Sequence, residues 1–325
     1  MNRQHPIPTN VITGFLGAGK TTLIQHLLKT KPADEHWAVL VNEFGEVGLD
    51  GALLAAEGIA VKEVPGGCMC CTTSLPSKSA MNQLIEQQNP DRILIEPTGL
   101  AHPKQILQSF GGKAYQGILD MHAVVCVLDP WSLSDDQFLA LPAFRDQIQL
   151  ADVLIATKSD TSAPEHLARF DTFAASLKPM KSQIGKISQG NMPWQWLDAP
   201  RVKQTVILTT PASHSGASSS DVAERDSDGV LRQENKTDYG YSCGWLFPET
   251  FVFNFEGLKT LLSELEVPRI KAVMQTDKGW FSFNRMRENF QAKETTSIGE
   301  SRLEVVSMEP VDWRGQDNKL RLLSS

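Results

Sequence analysis

Residues 1–207 alternate between two hydrophobic patterns. One is a short dense run of apolar and β-branched residues, found at 11–13, 36–41, 93–95, 121–129 and 151–156, beside a short alternating strand at 59–64. Such runs predict buried strands. The other sets apolar residues three and four positions apart, as at Ala80, Met81, Leu84 and Ile85. That spacing predicts helices over 22–29, 77–88, 101–110 and 137–150. Pro90 stops the second, and Pro142 breaks or restarts the last. Strands alternating with helices predict an α/β domain with a mostly parallel sheet.

The pattern lapses over 208–238. Residues 213–221 are low-complexity and polar, and 224–238 are charged with almost no apolar content. This composition predicts an exposed linker or disordered loop. Structure resumes over 239–325. Strands are predicted at 242–247 and 301–308, a helix over 254–265, a hairpin of 268–275 with 279–287, and a helical tail from 309. The expected domains are therefore 1–207, a linker 208–238, and a smaller α+β domain 239–325.

The most informative loop follows the first strand. Gly14-Phe15-Leu16-Gly17-Ala18-Gly19-Lys20-Thr21-Thr22 fits G-x-x-x-x-G-K-[ST] between a strand and a helix. Glycines such as Gly14, Gly17 and Gly19 let backbone N–H groups converge on one anion, and the helix adds its positive end. Lys20 would reach the β- and γ-phosphates, and the Thr21 hydroxyl would ligate Mg²⁺.

Further candidates sit at other strand ends, where open α/β sheets gather ligands. Glu43 and Asp50, in the acidic loop after the second strand, would lie near phosphates, Mg²⁺ or another metal, or form a solvated turn. Glu96 closes the strand at 93–95, the Walker-B position, and would hold the Mg²⁺ shell or orient the attacking water. Gly99 leaves room for the γ-phosphate and could sense its loss through its backbone N–H. Thr157-Lys158-Ser159-Asp160 resembles the guanine motif [NT]-K-x-D, with Thr where Asn is commoner. The Asp160 carboxylate can accept N1–H and N2–H₂ of guanine, a donor pair that adenine lacks. Residues 186–190 could add backbone N–H contacts to the base.

Cys68, Cys70 and Cys71 follow two glycines. Clustered thiolates select soft ions such as Zn²⁺ or Cu⁺. All three reach one ion only if the loop turns; two of them with an outside ligand such as Glu43 form an equally good tetrahedral set. Cys126 and Cys243 stand alone and read as core.

Composition narrows the classes. The chain has 325 residues, 41 % hydrophobic and 21 % charged, with a net charge of −7. It has no whole-chain basic field, so nucleic acid is not expected as a partner. No apolar run approaches the roughly 20 residues of a membrane span, and the first residues lack a secretory pattern. A cytoplasmic protein is expected, with no membrane partner. Five cysteines, three of them clustered, favour metal or thiol chemistry over a disulfide framework.

Together, the glycine loop, the Cys-x-Cys-Cys loop, Glu96-Pro97-Thr98-Gly99 and Thr157-Lys158-Ser159-Asp160 make the chain resemble the CobW-type metallochaperone P-loop GTPases. These are relatives of the urease- and hydrogenase-maturation GTPases. The resemblance covers about 8–200 and the C-terminal domain. It implies GTP, Mg²⁺ and Zn²⁺ as cofactors, slow intrinsic hydrolysis of GTP to GDP and phosphate, metal-linked homo-oligomerisation and a metalloprotein client. By motif, Gly17, Gly19, Lys20, Thr21 and Thr22 would hold phosphates and Mg²⁺. Asp50 would belong to switch I, Glu96 and Gly99 to the Walker-B and switch II segment. Lys158 and Asp160 would choose guanine. Cys68, Cys70 and Cys71, with Glu43 as helper, would hold the metal. Two other readings stay open: a regulatory GTPase with redox-sensing cysteines, and an ATP-dependent small-molecule kinase.

Overall fold

The structure, a computed structural model, describes residues 5–15, 17–41, 60–63, 75–97, 103–202, 225–237, 240–286 and 289–324. These fall into two compact units, 5–202 and 225–324. Among the described residues, no helix is long and apolar enough to cross a membrane.

The first unit is built on seven strands: β1 (Ile7–Thr13), β2 (Trp37–Val41), β3 (Ala60–Glu63), β4 (Arg92–Glu96), β5 (Leu119–Leu128), β6 (Val153–Ala156) and β7 (Gln183–Lys186). They pair in the order β3-β2-β4-β1-β5-β6-β7, and every pairing is parallel. The helices are α1 (Lys20–Thr30), α2 (Leu75–Gln88), α3 (Pro103–Phe110), α4 (Asp136–Ala140), α5 (Pro142–Leu150) and α6 (Pro164–Ser176). The period of two explains the dense strand runs. Val11, Ile93, Ile95, Ala38 and Leu40 face one core with α2 and α3. Ile12, Leu94, Val39 and Val41 face the other, with Leu23, Ile24 and Leu27 of α1. Pro142 starts α5 after a short break, as its position predicts, because proline at the first helical turn lacks only an N–H that has no partner there.

The amino-terminal ends of the strands are tied by a polar network. Arg92 lies over the Trp37 ring and donates to Asn10 Oδ1 at 2.6 Å and to Asp198 Oδ1 at 2.8 Å. Asn10 in turn donates to the carbonyls of Ala123 and Leu197. A charge this dry is tolerated because both terminal nitrogens of the guanidinium meet an oxygen, one of them a carboxylate, and the Trp37 ring lies against it. The network pins the segment Trp194–Asp198 under the sheet and leaves the opposite edge for chemistry.

The second unit has six strands: β8 (Leu231–Thr237), β9 (Gly240–Phe247), β10 (Arg269–Thr276), β11 (Gly279–Met286), β12 (Asn289–Glu294) and β13 (Ser301–Ser307). They form an antiparallel sheet in the order β12-β11-β10-β13-β9-β8. Helices α7 (Phe255–Glu264) and α8 (Trp313–Leu322) share one core with it, including Trp245, Phe253, Leu258, Phe283 and Leu320. The Arg285 guanidinium caps α7 by donating to the Ser263 and Leu265 carbonyls.

The linker expected over 208–238 needs correction at its end. Residues 231–237 form β8, paired along β9 as an edge strand. An edge strand buries little, so few apolar residues suffice. Here Val230 and Leu231 are buried, and Arg232 meets Glu234 at 3.3 Å and Asp317 at 3.9 Å. Residues 208–224 lie outside the described residues.

Candidate functional site

Parallel pairing sends the carboxyl ends of β1, β4, β5, β6 and β7 to one edge. β1 is the strand about which the order reverses, so the loop that leaves it stands at the topological switch point. This places the glycine loop between Glu96, at the end of β4, and residues 157–160, which follow β6.

Glycine is required at both ends of that loop. Gly14 has φ +148°, and a Cβ there would lie 2.2 Å from the Val127 carbonyl oxygen of β5. Gly19 caps α1 with φ +94°, a left-handed conformation that side chains disfavour. The loop can thus leave the sheet closely and turn sharply into the helix. Phe15 anchors it from beneath. Its ring meets Phe138 at 5.1 Å and Phe144 at 6.2 Å, both edge-on, and Trp131 meets Phe138 at 6.0 Å.

Lys20 opens α1 and is 9 % exposed. Its ammonium donates to the Gly14 carbonyl at 3.0 Å and approaches that of Phe15 at 3.4 Å, which curls the loop around its own cation. Thr21 Oγ1 donates to Glu96 Oε1 at 2.9 Å, joining the start of α1 to the end of β4. Glu96 is 3 % exposed. A hydroxyl and a carboxylate held together beside the glycine loop are hard oxygen donors suited to a small divalent cation.

On the other side, Thr157 is 5 % exposed, and its hydroxyl reaches the Ala18 carbonyl at 2.7 Å and that of Leu128 at 3.1 Å. Lys158 has φ +53° and pairs with Asp129 at 3.0 Å. Asp160 is exposed in the turn that follows. Residues 186–190 close from beyond β7. The Ser159 amide donates to the Ile187 carbonyl. Gly190 presses on α1, where a Cβ would lie 2.5 Å from the Thr22 carbonyl oxygen.

One edge therefore gathers Gly14, Gly17, Gly19, Lys20, Thr21, Thr22, Glu96, Thr157, Lys158 and Asp160. Glu43, Asp50, Cys68, Cys70, Cys71 and Gly99 lie outside the described residues. Asp129 is a residue the motif reading missed. It follows a buried strand as Glu96 does, and that parallel was the available signal. Cys126 and Cys243 are buried free thiols. Burial pushes Cys126 up to about 12 and Cys243 higher still, so both stay protonated at neutral pH, as core cysteines do.

Comparison with known proteins gives one consistent result. The family model "CobW/HypB/UreG, nucleotide-binding domain" matches residues 8–185. The zinc chaperone YeiR of Escherichia coli K12 is 39 % identical over 334 aligned positions, covering 98 % of this chain and 99 % of that protein. The zinc chaperone CobW of Pseudomonas aeruginosa is 34 % identical over 58 % of each chain. The zinc chaperone YjiA of E. coli K12 is 33 % identical, covering 53 % of this chain and 57 % of its own.

Proposed function

This chain belongs to the CobW/HypB/UreG nucleotide-binding family, and from that premise we propose that it is a metallochaperone GTPase that binds zinc and delivers it to a client protein. The observation that carries the nucleotide half is the Thr21–Glu96 hydrogen bond beside Lys20, which assembles a cation and phosphate site from segments far apart in the chain. The zinc half is supported by the names of the relatives and by the donor chemistry of Cys68, Cys70 and Cys71.

The roles follow from charge and hydrogen-bond demand. Loop amides from Gly14 to Thr22 and the positive end of α1 bind the β- and γ-phosphates. Lys20 exchanges its loop carbonyls for phosphate oxygens. Thr21 and Glu96 would hold Mg²⁺, which would supply positive charge against the phosphate oxygens. The alternative role for Glu96 is to orient the attacking water. Asp160 accepts from N1–H and N2–H₂ of guanine while the Lys158 stem packs on the base. Asp50 and Gly99 belong to the segments that answer the γ-phosphate. No arginine finger is evident in the sequence, so intrinsic hydrolysis is expected to be slow unless a partner or the metal completes the site. The working division is 1–207 for nucleotide and metal, and a second domain that includes β8 and runs on to 325.

The cysteine loop lies between the two switch segments in sequence, so nucleotide state and zinc affinity are coupled. Coupling of this kind is reciprocal: whatever factor GTP adds to zinc binding, zinc adds to GTP binding. The test is a buffered zinc titration of the protein with GDP and with a non-hydrolysable GTP analogue. The affinities are expected to differ about tenfold, within the usual range of such coupling. Equal affinities would sink the coupling.

A further inference from the structure

The amino-terminal end of β5 holds a cleft that the nucleotide site leaves unused. Its volume is about 630 Å³, and its lining includes Leu107 and Phe110 of α3, Lys113 beyond that helix, Asp120 and Met121 of β5, and Arg201. The size falls within the roughly 300–1,000 Å³ of ligand pockets. Val127 packs on Gly14, and at about 3.3 Å per strand residue Asp120 lies about 20 Å from it along β5. The apolar wall is preformed. Gly111 lets the chain turn off α3 against the sheet, since a Cβ there would lie 2.6 Å from the Leu107 carbonyl oxygen and 3.3 Å from Met121 Cγ. The Tyr115 ring meets Phe110 edge-on at 5.4 Å, and its hydroxyl reaches Asn82 Oδ1 of α2 at 3.2 Å, which braces the wall from behind.

The rim is short of acceptors. Lys113 is exposed and meets no carboxylate among the described residues. Arg201 turns its Nε to the buried Asp152 at 3.3 Å, and its two terminal nitrogens meet no acceptor among the described residues. The neighbouring acids are already matched. Asp120 is met by His122 Nε2 at 3.2 Å, Asp152 also feels the Lys181 charge, and Asp198 pairs with Arg92. The cleft thus presents donors beside an apolar wall, so its occupant must bring acceptors beside an apolar group. Lys113, Gln116 and Gly117 are exposed on its rim. An open rim suits a segment of chain laid across the cleft rather than an enclosed small molecule.

We propose that this cleft docks an acidic segment of a partner protein, in which a large apolar side chain is flanked by a carboxylate. The side chain lies against Leu107, Phe110 and Met121, and the carboxylate on Lys113 and Arg201. The inference goes beyond the metallochaperone reading and stands whether or not that reading does. It gives the protein a docking face remote from the nucleotide edge.

The test is calorimetry on the full chain with three capped hexapeptides. The first is Gly-Glu-Leu-Phe-Glu-Gly, the second has lysine in place of both glutamates, and the third has serine in place of leucine and phenylalanine. The first is expected to bind about tenfold more tightly than either of the others. Lys113→Glu should weaken the acidic peptide by about tenfold and tighten the lysine peptide, a reversal that an unfolded variant could not give. Lys113 is exposed, so stability and basal GTP turnover should be unchanged. Equal binding of the acidic and lysine peptides overturns the proposal, as does acidic binding untouched by Lys113→Glu, or no binding of any of the three at millimolar concentration. N-acetyl-leucine that binds as tightly as the acidic peptide would make the cleft a small-molecule site and overturn it too. So would a dimer in sedimentation that Lys113→Glu dissociates, since a second copy would then fill the cleft.

Discussion

Lys20→Met is expected to lower kcat/KM for GTP by about 10²–10³-fold, the usual cost of losing one charged clamp on a transferring phosphoryl group. Methionine preserves most of the stem and its burial, so the substitution isolates the ammonium. In the resting site that ammonium holds the Gly14 and Phe15 carbonyls. Those carbonyls belong to a loop whose shape is already fixed by Gly14, Gly19 and the Phe15 ring cluster. The fold should therefore survive, with a thermal midpoint within a few degrees of the parent. Single-turnover hydrolysis and GDP binding together separate chemistry from affinity. Loss of GDP affinity alone, with hydrolysis at saturation intact, would place Lys20 outside the transition state.

Asp160→Asn is expected to weaken GTP by about 10²-fold, because two charge-assisted hydrogen bonds disappear and an amide N–H is turned toward a base donor. The same change should create an affinity for XTP. Xanthine offers N1–H and a C2 carbonyl, the pattern that a carboxamide complements. Asp160 is exposed, so its replacement should leave stability within about 0.5 kcal/mol. Competition binding with GTP, XTP and ATP reads the switch directly. GTP binding that is unaffected by the change would remove Asp160 from the site and reopen the ATP reading.

The site was legible in the sequence where chemistry and geometry coincide in a few adjacent residues. Gly14 to Thr22 is glycine-rich, as a loop that is to bind phosphate through its backbone has to be, and Glu96 and Asp160 stand at strand ends because that is where a parallel sheet opens. What the sequence hid was set by partners far along the chain. Asn10 and Arg92 read as ordinary strand residues, yet they meet at 2.6 Å and organise the opposite edge. The Thr157 bridge to Ala18 is equally invisible before folding. Among the elements, β8 was missed because an edge strand needs only one or two buried side chains, and the charges around Arg232 disguised it. Helix α6 was missed although its signals were present: Pro164 at the first turn, then Phe170 and Ala174 four apart and buried. β7 and β12 are sheet-edge strands with mostly exposed or half-buried residues, so no dense apolar run announced them.

The central claim is a link between the cysteine loop and the glycine loop. The most direct measurement is the steady-state rate of GTP hydrolysis against buffered free Zn²⁺, for the parent protein and for Cys70→Ala/Cys71→Ala. The account predicts that zinc changes the rate of the parent and not that of the double variant, with both retaining basal turnover. A rate that ignores zinc in the parent, or that responds equally in both proteins, would contradict a metal site coupled to the nucleotide.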